Sequence, residues 1–423
     1  MKYTKKDLGS FGLHLIETDK LKTITVRVIF HTPIKKEEIT KRILLTDVLL
    51  QSTEKYATRR DLTIQAEELY SADISMNNTR LGNYIVTSMN LQVLNDSYTE
   101  ENNLEKSLEF LQEIIFHPDV EKNAFQKEKL DLAKYNSVVS ISSIKEDATN
   151  YSMIRLSETY DKDSPVSFRM IGYLEDLEKI DEKNLYESYC KMIDNDYVDI
   201  FVVGNYNQKE MIPLIKKYFK FKKIKKRKAT YFLKNKKARK RRLMAKESID
   251  NSQSKLAIAC PIGKLKQRER DCALVLANIL LGGSPDSKLF QEVREKNSLC
   301  YTIHSVVSRL DNLLVISAGI DKDNYKKTLE LITKNLNECK KGHFTEKEIE
   351  KAKEIYHTSL EELEESDNRM ISDVLSQDLL GLASPDERME QMKNVKKSEI
   401  VKVFKKINMD TVFLLEGVKN EED

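Results

Sequence analysis

The stretch from Leu281 to Ile303 holds two side chains whose types and spacing could do chemistry. Arg294 offers a planar fork of donors that can hold a carbonyl or carboxylate in register. Tyr301, seven residues on, carries a hydroxyl that can donate to an oxygen gaining negative charge. These two need a rigid corner to present them. Gly282 and Gly283 free the backbone, Ser284 fits an N-cap and Pro285 the first helical position, so a short helix is predicted there. Leu289, Phe290 and Val293 form its apolar face, and Asn297 and Ser298 can end it. Leu299, Tyr301 and Ile303 then alternate as a half-buried strand does.

The run Arg294, Glu295, Leu299, Tyr301 reads Arg-Glu-x-x-x-Leu-x-Tyr, and in this it resembles the second domain of the pitrilysin-type zinc peptidases. That family is also called the inverzincins, for an inverted His-x-x-Glu-His motif in its first domain. The resemblance implies that Arg294 and Tyr301 act on a peptide held at a zinc site, binding substrate and stabilising the oxyanion. It implies, too, two α+β domains facing each other across a chamber.

The chain as a whole fits two domains. Its 423 residues are 40% hydrophobic and 33% charged, with Gly 12 and Pro 7, which argues for folding throughout. The N-terminus has no apolar core behind its basic residues and no segment approaches the length of a membrane span, so the protein reads as cytoplasmic. Five scattered cysteines without a Cys-x-x-Cys pair read as free buried thiols.

An internal repeat organises the elements. Strand Thr23 to Phe30, helix Glu37 to Gln51, helix Asp61 to Tyr70 and strands Ile74 to Met76 and Tyr84 to Leu94 open the first half. Helix Asn103 to Phe116 stops before Pro118. A long helix then starts at Asn123 and continues as further helices to about Glu158, followed by helix Leu174 to Ile193 and strand Asp199 to Val203. In the second half the order returns with strand Leu256 to Cys260, helix Arg268 to Leu281, helix Asp286 to Lys296 and strands Leu299 to Val307 and Leu313 to Ile320. Phe125 pairs with Phe344 at an offset of 219, and Ile200 to Gly204 with Phe413 to Gly417 at 213. The expectation is an α+β chain of two homologous domains, 1–214 and 251–423, each an antiparallel sheet with helices on one face, joined by a linker 215–250.

The family's metal motif has no counterpart here. Alignment places Ile43, Thr46 and Asp47 on the His, Glu and His positions, and Tyr135 on the downstream glutamate ligand. Zinc needs imidazole or carboxylate donors, and the motif's glutamate must activate a metal-bound water. Isoleucine and threonine do neither. The six histidines, His14, His31, His117, His304, His343 and His357, include no pair three to five residues apart, and each reads as structural or surface. No nucleophile elbow, P-loop or dinucleotide glycine pattern is present.

From Lys216 to Lys246 there are seventeen Lys and Arg and no acidic residue, in a chain of net charge +3. The rest must be near −14. The linker can lie along acidic domains, or, with Tyr218, Phe219, Phe221, Tyr231 and Phe232 interleaved, bind RNA, ribosomes or an anionic membrane surface.

The resemblance implies a subunit that binds no zinc and is inactive alone. It would supply Arg294 and Tyr301 in trans to a sister chain carrying zinc on a His-x-x-Glu-His helix. A peptide-binding scaffold without hydrolysis and an anionic-polymer binder are the readings from other classes.

Overall fold

A computed structural model describes residues 1–99, 102–223 and 230–418; residues 224–229 of the basic linker lie outside the described residues. The first repeat begins with β1 (Lys2–Asp7), β2 (Gly12–Glu17) and β3 (Thr23–Pro33), then α1 (Lys36–Val48), α2 (Arg59–Glu68), β4 (Asp73–Leu81) and β5 (Tyr84–Leu94). It continues through α3 (Asn103–Phe116), the short hairpin β6 (Val120–Glu121) and β7 (Ala124–Phe125), α4 (Lys127–Ser142) and α5 (Ala148–Asp161). It closes with α6 (Leu174–Leu177), α7 (Glu182–Asn195), β8 (Tyr197–Gly204) and α8 (Gln208–Tyr218).

The second repeat runs β9 (Leu243–Ile249), β10 (Ser254–Pro261), α9 (Leu274–Leu281), β11 (Cys300–Ser308) and β12 (Leu313–Ile320). Then come α10 (Tyr325–Lys341), α11 (Glu346–Glu361), α12 (Asp367–Leu380), α13 (Pro385–Lys393), α14 (Lys397–Phe404) and β13 (Thr411–Gly417).

The strand orders β1-β2-β8-β3-β5-β4 and β11-β12-β10-β13-β9 superimpose when one is reversed, β1 being the extra strand. Both sheets are antiparallel except for one parallel pair each, β2 with β8 and β9 with β13, at equivalent places. The repeat seen in sequence is therefore a repeat of topology.

Strand alternation sets the faces. In β3, Ile24, Val26, Val28 and Phe30 join Leu44, Leu45 and Val48 of α1 and Leu108 and Leu111 of α3 in one core. The opposite faces are not bare, because the compact units exchange segments. One unit comprises 1–142, 169–229 and 362–375; the other comprises 143–168, 230–361 and 376–423. In the second unit Ala148, Tyr151, Leu156 and Tyr160 of α5 pack on Ala257 and Ala259 of β10 and on Phe413 and Leu415 of β13. In the first, the start of α12 lies over β3, where Thr25 donates to Asp367 at 2.7 Å.

The helices expected after Asn123 are α4 and α5, the first starting later than expected. Lys122 and Asn123 have φ of 51° and 63°, and α4 starts only at Lys127. Asp147 then caps a new helix by accepting from Thr149 N and Asn150 N at 3.0 Å. That break releases α5 to join the other unit.

Candidate functional site: a helix–bulge corner

The backbone around Gly282 explains why the corner starts with two glycines. A Cβ on Gly282 would lie 2.9 Å from Ser305 N, and one on Gly283 3.0 Å from Asn278 O. Ser305 N donates to Gly282 O at 2.9 Å, tying the loop to β11. Ser284 is not the N-cap expected of it: its hydroxyl donates back to Ile279 O at 3.3 Å. The helix begins at Lys288, with Gln291 N donating to Ser287 O at 3.0 Å.

From Phe290 to Glu295 the helix is of π type, with Lys296 N donating to Gln291 O at 3.0 Å. A π turn accommodates one extra residue, and such turns recur at functional sites. Leu289 and Val293 are fully buried and fix the helix. Arg294 is left exposed, its guanidinium 4.7 Å from the centre of the Phe290 ring and its Nε 3.7 Å from Glu295 Oε1. An exposed pair at that distance contributes little.

Ser298 ends the helix in the left-handed region, φ 51°, with its N–H donating to Arg294 O at 2.9 Å. Leu299 N donates to Val293 O at 3.1 Å and Asn297 Nδ2 to Glu292 O at 2.7 Å, closing the remaining carbonyls. β11 then pairs Cys300 with Ile320 and Thr302 with Gly319. Tyr301 is thus the extra residue of a β-bulge, a device that re-aims a side chain. Its ring is 61% exposed, on a strand that forms the edge of its sheet. The neighbouring Cys300 thiol is pushed up to about 11 by burial, against the nearby Arg294, and so is no nucleophile at neutral pH.

Helix α1 is the opposite case. Ile43 has no donor atom, and Thr46 donates its hydroxyl to Ile43 O at 2.7 Å. Asp47 accepts from Gln51 Nε2 at 2.9 Å and from Asn136 Nδ2 at 2.8 Å. The α4 side chain that meets Asp47 is therefore Asn136, while Tyr135 stands 66% exposed. One carboxylate already holding two amides, with no imidazole beside it, does not fit a zinc ion.

Two histidines do converge, although seventeen residues apart in sequence. His14 Nε2 lies 3.0 Å from Asp199 Oδ1 and His31 Nε2 3.2 Å from Asp199 Oδ2, both imidazoles fully buried. Tyr3 OH is 2.8 Å from His14 Nδ1. Burial would raise the Asp199 carboxyl, but hydrogen bonds from His14 and His31 hold it well below the usual carboxylate range. A Cβ at Gly12 would fall 2.1 Å from Asp199 Oδ1, so this carboxylate occupies space that only glycine leaves. The cluster ties β2, β8 and β3 together.

The described part of the basic linker is pinned to both units. Lys217 pairs with Glu105 at 2.6 Å and Lys222 with Asp194 at 2.7 Å in the first. Lys236 pairs with Asp161 at 3.0 Å, Arg239 with the buried Asp410 and Lys246 with Glu416 at 2.7 Å in the second. Its aromatics are anchors more than stacking platforms: Phe219, Phe221 and Tyr231 are buried, and Tyr218 OH donates to Glu105 at 3.0 Å. Among the described residues no helix is long and apolar enough to cross a membrane.

The chain is similar to several known proteins. Residues 179–356 match the family model described as the Peptidase M16 inactive domain. The chain is 29% identical over 421 residues, 98% of each chain, to the probable inactive metalloprotease YmfF of Bacillus subtilis strain 168. It is 28% identical over 280 residues, 65% of each, to the uncharacterized zinc protease YmxG of the same bacterium. The crystal structure of a conserved protein from Enterococcus faecalis V583 matches 99% of this chain and 100% of its own, with TM-score 0.89 and 29% identity. The chain is similar to the pitrilysin-type M16 peptidases, and over residues 179–356 to the domain of that family described as inactive.

Proposed function

We propose that this chain is the zinc-free half of a two-chain peptidase, supplying Arg294 and Tyr301 to a site whose metal and general base come from a sister chain. The observation that carries this reading is the corner itself. A π turn, a left-handed Ser298 and a bulge at Tyr301 hold an exposed arginine, held only by the Phe290 ring and a long pair to Glu295, and an exposed tyrosine out of the fold, while α1 has no donor set for a metal. In that role Arg294 binds a substrate carbonyl or carboxylate, and the Tyr301 hydroxyl donates to the oxyanion of the tetrahedral intermediate. Similarity to both an inactive metalloprotease and a zinc protease of one bacterium supports a pairing of unlike chains.

The test is pull-down from the native host, followed by peptide cleavage with the reconstituted pair and with each chain alone. Cleavage by the pair only is the expected result. Capture of peptides without cleavage by any combination would make the chain a scaffold, and cleavage by this chain alone would overturn the proposal. Nucleic acid in the purified peak, released steeply by salt, would move the function to the cations between Lys216 and Lys246.

A further inference from the structure

The second face of the first sheet is polar in a way the core face is not, and its side chains fall into rows. Thr25 lies beside Gln92, and Gln92 beside Asp73; in the next row come Arg27, Asn90 and Ser75, and then Ile29, Ser88 and Asn77. Further along the strands, Val86 pairs with Thr79, and Leu81 lies at the end. The first turns of α12 cover β3 in the same sense, with Asp367 and Asn368 over the polar rows and Ile371 and Leu375 following. Sheet and helix enclose a cavity of about 520 Å³, and every residue lining it belongs to the first unit. That volume is within the ~300–1,000 Å³ usual for small-molecule sites.

The cavity is graded, charged at one end and apolar at the other. At the charged end the Arg27 guanidinium donates to the neutral side-chain oxygens of Asn90 and Asn368. Among the described residues it forms no ion pair. Asp367 instead accepts from Thr25 and, at 3.2 Å, from Gln92. Burial lowers the arginine's pKa, and Asp367 restores only part of the shift, so the cation lacks full compensation. On the far wall Asp73 is exposed, and among the described residues it takes up no hydrogen bond or ion pair.

Two strand spacings and one row separate the backbones of Arg27 and Asp73, about 12 Å. An extended peptide advances about 3.3 Å per residue, so two or three residues bridge that gap. Amides of Asn90 and Gln92, on the strand between, lie where peptide groups would run. Ile29, one row beyond Arg27, and Ile371, one helical turn beyond Asp367, line the adjoining part of the cavity, where an apolar side chain fits. Among the described residues none of those lining the cavity is aromatic, which disfavours nucleobases and other ligands held by stacking.

We propose that this cavity binds short zwitterionic peptides of two or three residues with an apolar side chain, Arg27 taking the carboxylate and Asp73 the ammonium group. The site is separate from the Arg294 and Tyr301 corner, and the inference does not rest on the two-chain reading.

Calorimetric titration of the full chain with Ala-Ala-Leu, its C-terminal amide and its N-acetyl form tests it. One saturable site for the free peptide is expected, with each blocked form weaker by about tenfold or more, as loss of a charged hydrogen bond implies. Arg27→Gln should bind acid and amide alike. Asp73→Asn, on an exposed edge strand that does not need this carboxylate to fold, should lose discrimination against the N-acetyl form. Absence of saturable binding, equal affinity for free and blocked peptides, or full discrimination by Asp73→Asn would each overturn the proposal.

Discussion

The same corner occurs twice in this chain, and only one copy is irregular. In the first repeat α2 opens with a regular capping box between Thr58 and Asp61, turns through left-handed Tyr70 and Ser71, and enters β4, which pairs with β5 without a break. In the second, a π turn replaces the last α turns, left-handed Ser298 makes the corner, and β11 bulges at Tyr301. The left-handed turn therefore belongs to the repeat. The π turn and the bulge belong to one copy, and they flank the arginine and the tyrosine. The irregularities sit at an edge strand, where they disturb the least pairing.

The largest effect should come from breaking that asymmetry. In the reconstituted pair, Tyr301→Phe removes one oxyanion donor and is expected to lower kcat about 10²-fold with little change in KM. Arg294→Ala should raise KM as well. Tyr70→Phe at the regular corner should leave peptide cleavage unchanged. Since both site residues are exposed, the variants should melt within a degree or two of wild type. Full activity of both would remove the corner from the site.

Helix α1, where Ile43, Thr46 and Asp47 offer no donor set for zinc, should show the reverse, a stability role without a catalytic one. Arg42 on α1 pairs with Asp196 at 2.6 Å, the side chains 5% and 4% exposed. Breaking a buried pair leaves a charge uncompensated, so Asp196→Ala is expected to cost about 3–5 kcal/mol in urea unfolding. A cost below about 1 kcal/mol would mean that water reaches Arg42.

Acid should act on both units through depressed carboxylates. Burial raises the Glu269 carboxyl, but bonds from Lys406 Nζ at 2.7 Å, Lys266 N and Lys402 bring it from an ordinary 4.5 to about 2. A group whose folded pKa is depressed stabilises above its unfolded pKa and loses that contribution as pH falls through the folded one. The window is therefore from about 4.5 down to about 2 for Glu269. It extends further down for Asp199, whose carboxyl is held lower still. Glu269→Gln should flatten the acid limb of the urea midpoint in this range, and an unchanged limb would show that its lysine bonds do not persist in solution.

Much of this was legible from the sequence because it depends on local pattern. Alternation gave β3, β5 and β12 within a few residues, the order of elements gave the repeat, and the Arg-x₆-Tyr spacing located the corner. What stayed hidden depends on the fold bringing distant residues together. Nothing near His14 or His31 signals that both meet Asp199, since the contact exists only once β2, β8 and β3 are neighbours. Arg27 reads as an ordinary outward strand residue until the exchanged start of α12 covers it. The π turn was illegible for another reason: Leu289 and Val293 fit an α-helix equally well, and the extra residue shows only in the backbone bonds. Ser284 misled because Ser-Pro is a good helix start, yet the Gly282–Ser305 tie holds that loop back and delays the helix to Lys288.

The smallest effect expected is at the hinge of the irregular corner, and it separates backbone from side chain. A left-handed conformation costs a non-glycine residue about 1–2 kcal/mol, and Ser298 bears that cost at φ 51°. Ser298→Gly removes this strain but raises the entropy of the unfolded chain by an amount worth about 0.4–1 kcal/mol, so the two changes nearly cancel. Stability should move by less than about 1 kcal/mol, and cleavage by the pair should be kept, because the corner needs the conformation and Ser298 contributes no side-chain bond to Arg294 or Tyr301. Ser298→Val gives the contrast: a β-branched residue resists this region, so it should destabilise the chain and lower cleavage together. If Ser298→Gly kept its melting temperature but lost activity, the serine hydroxyl would itself touch the substrate, and the corner would present three groups instead of two.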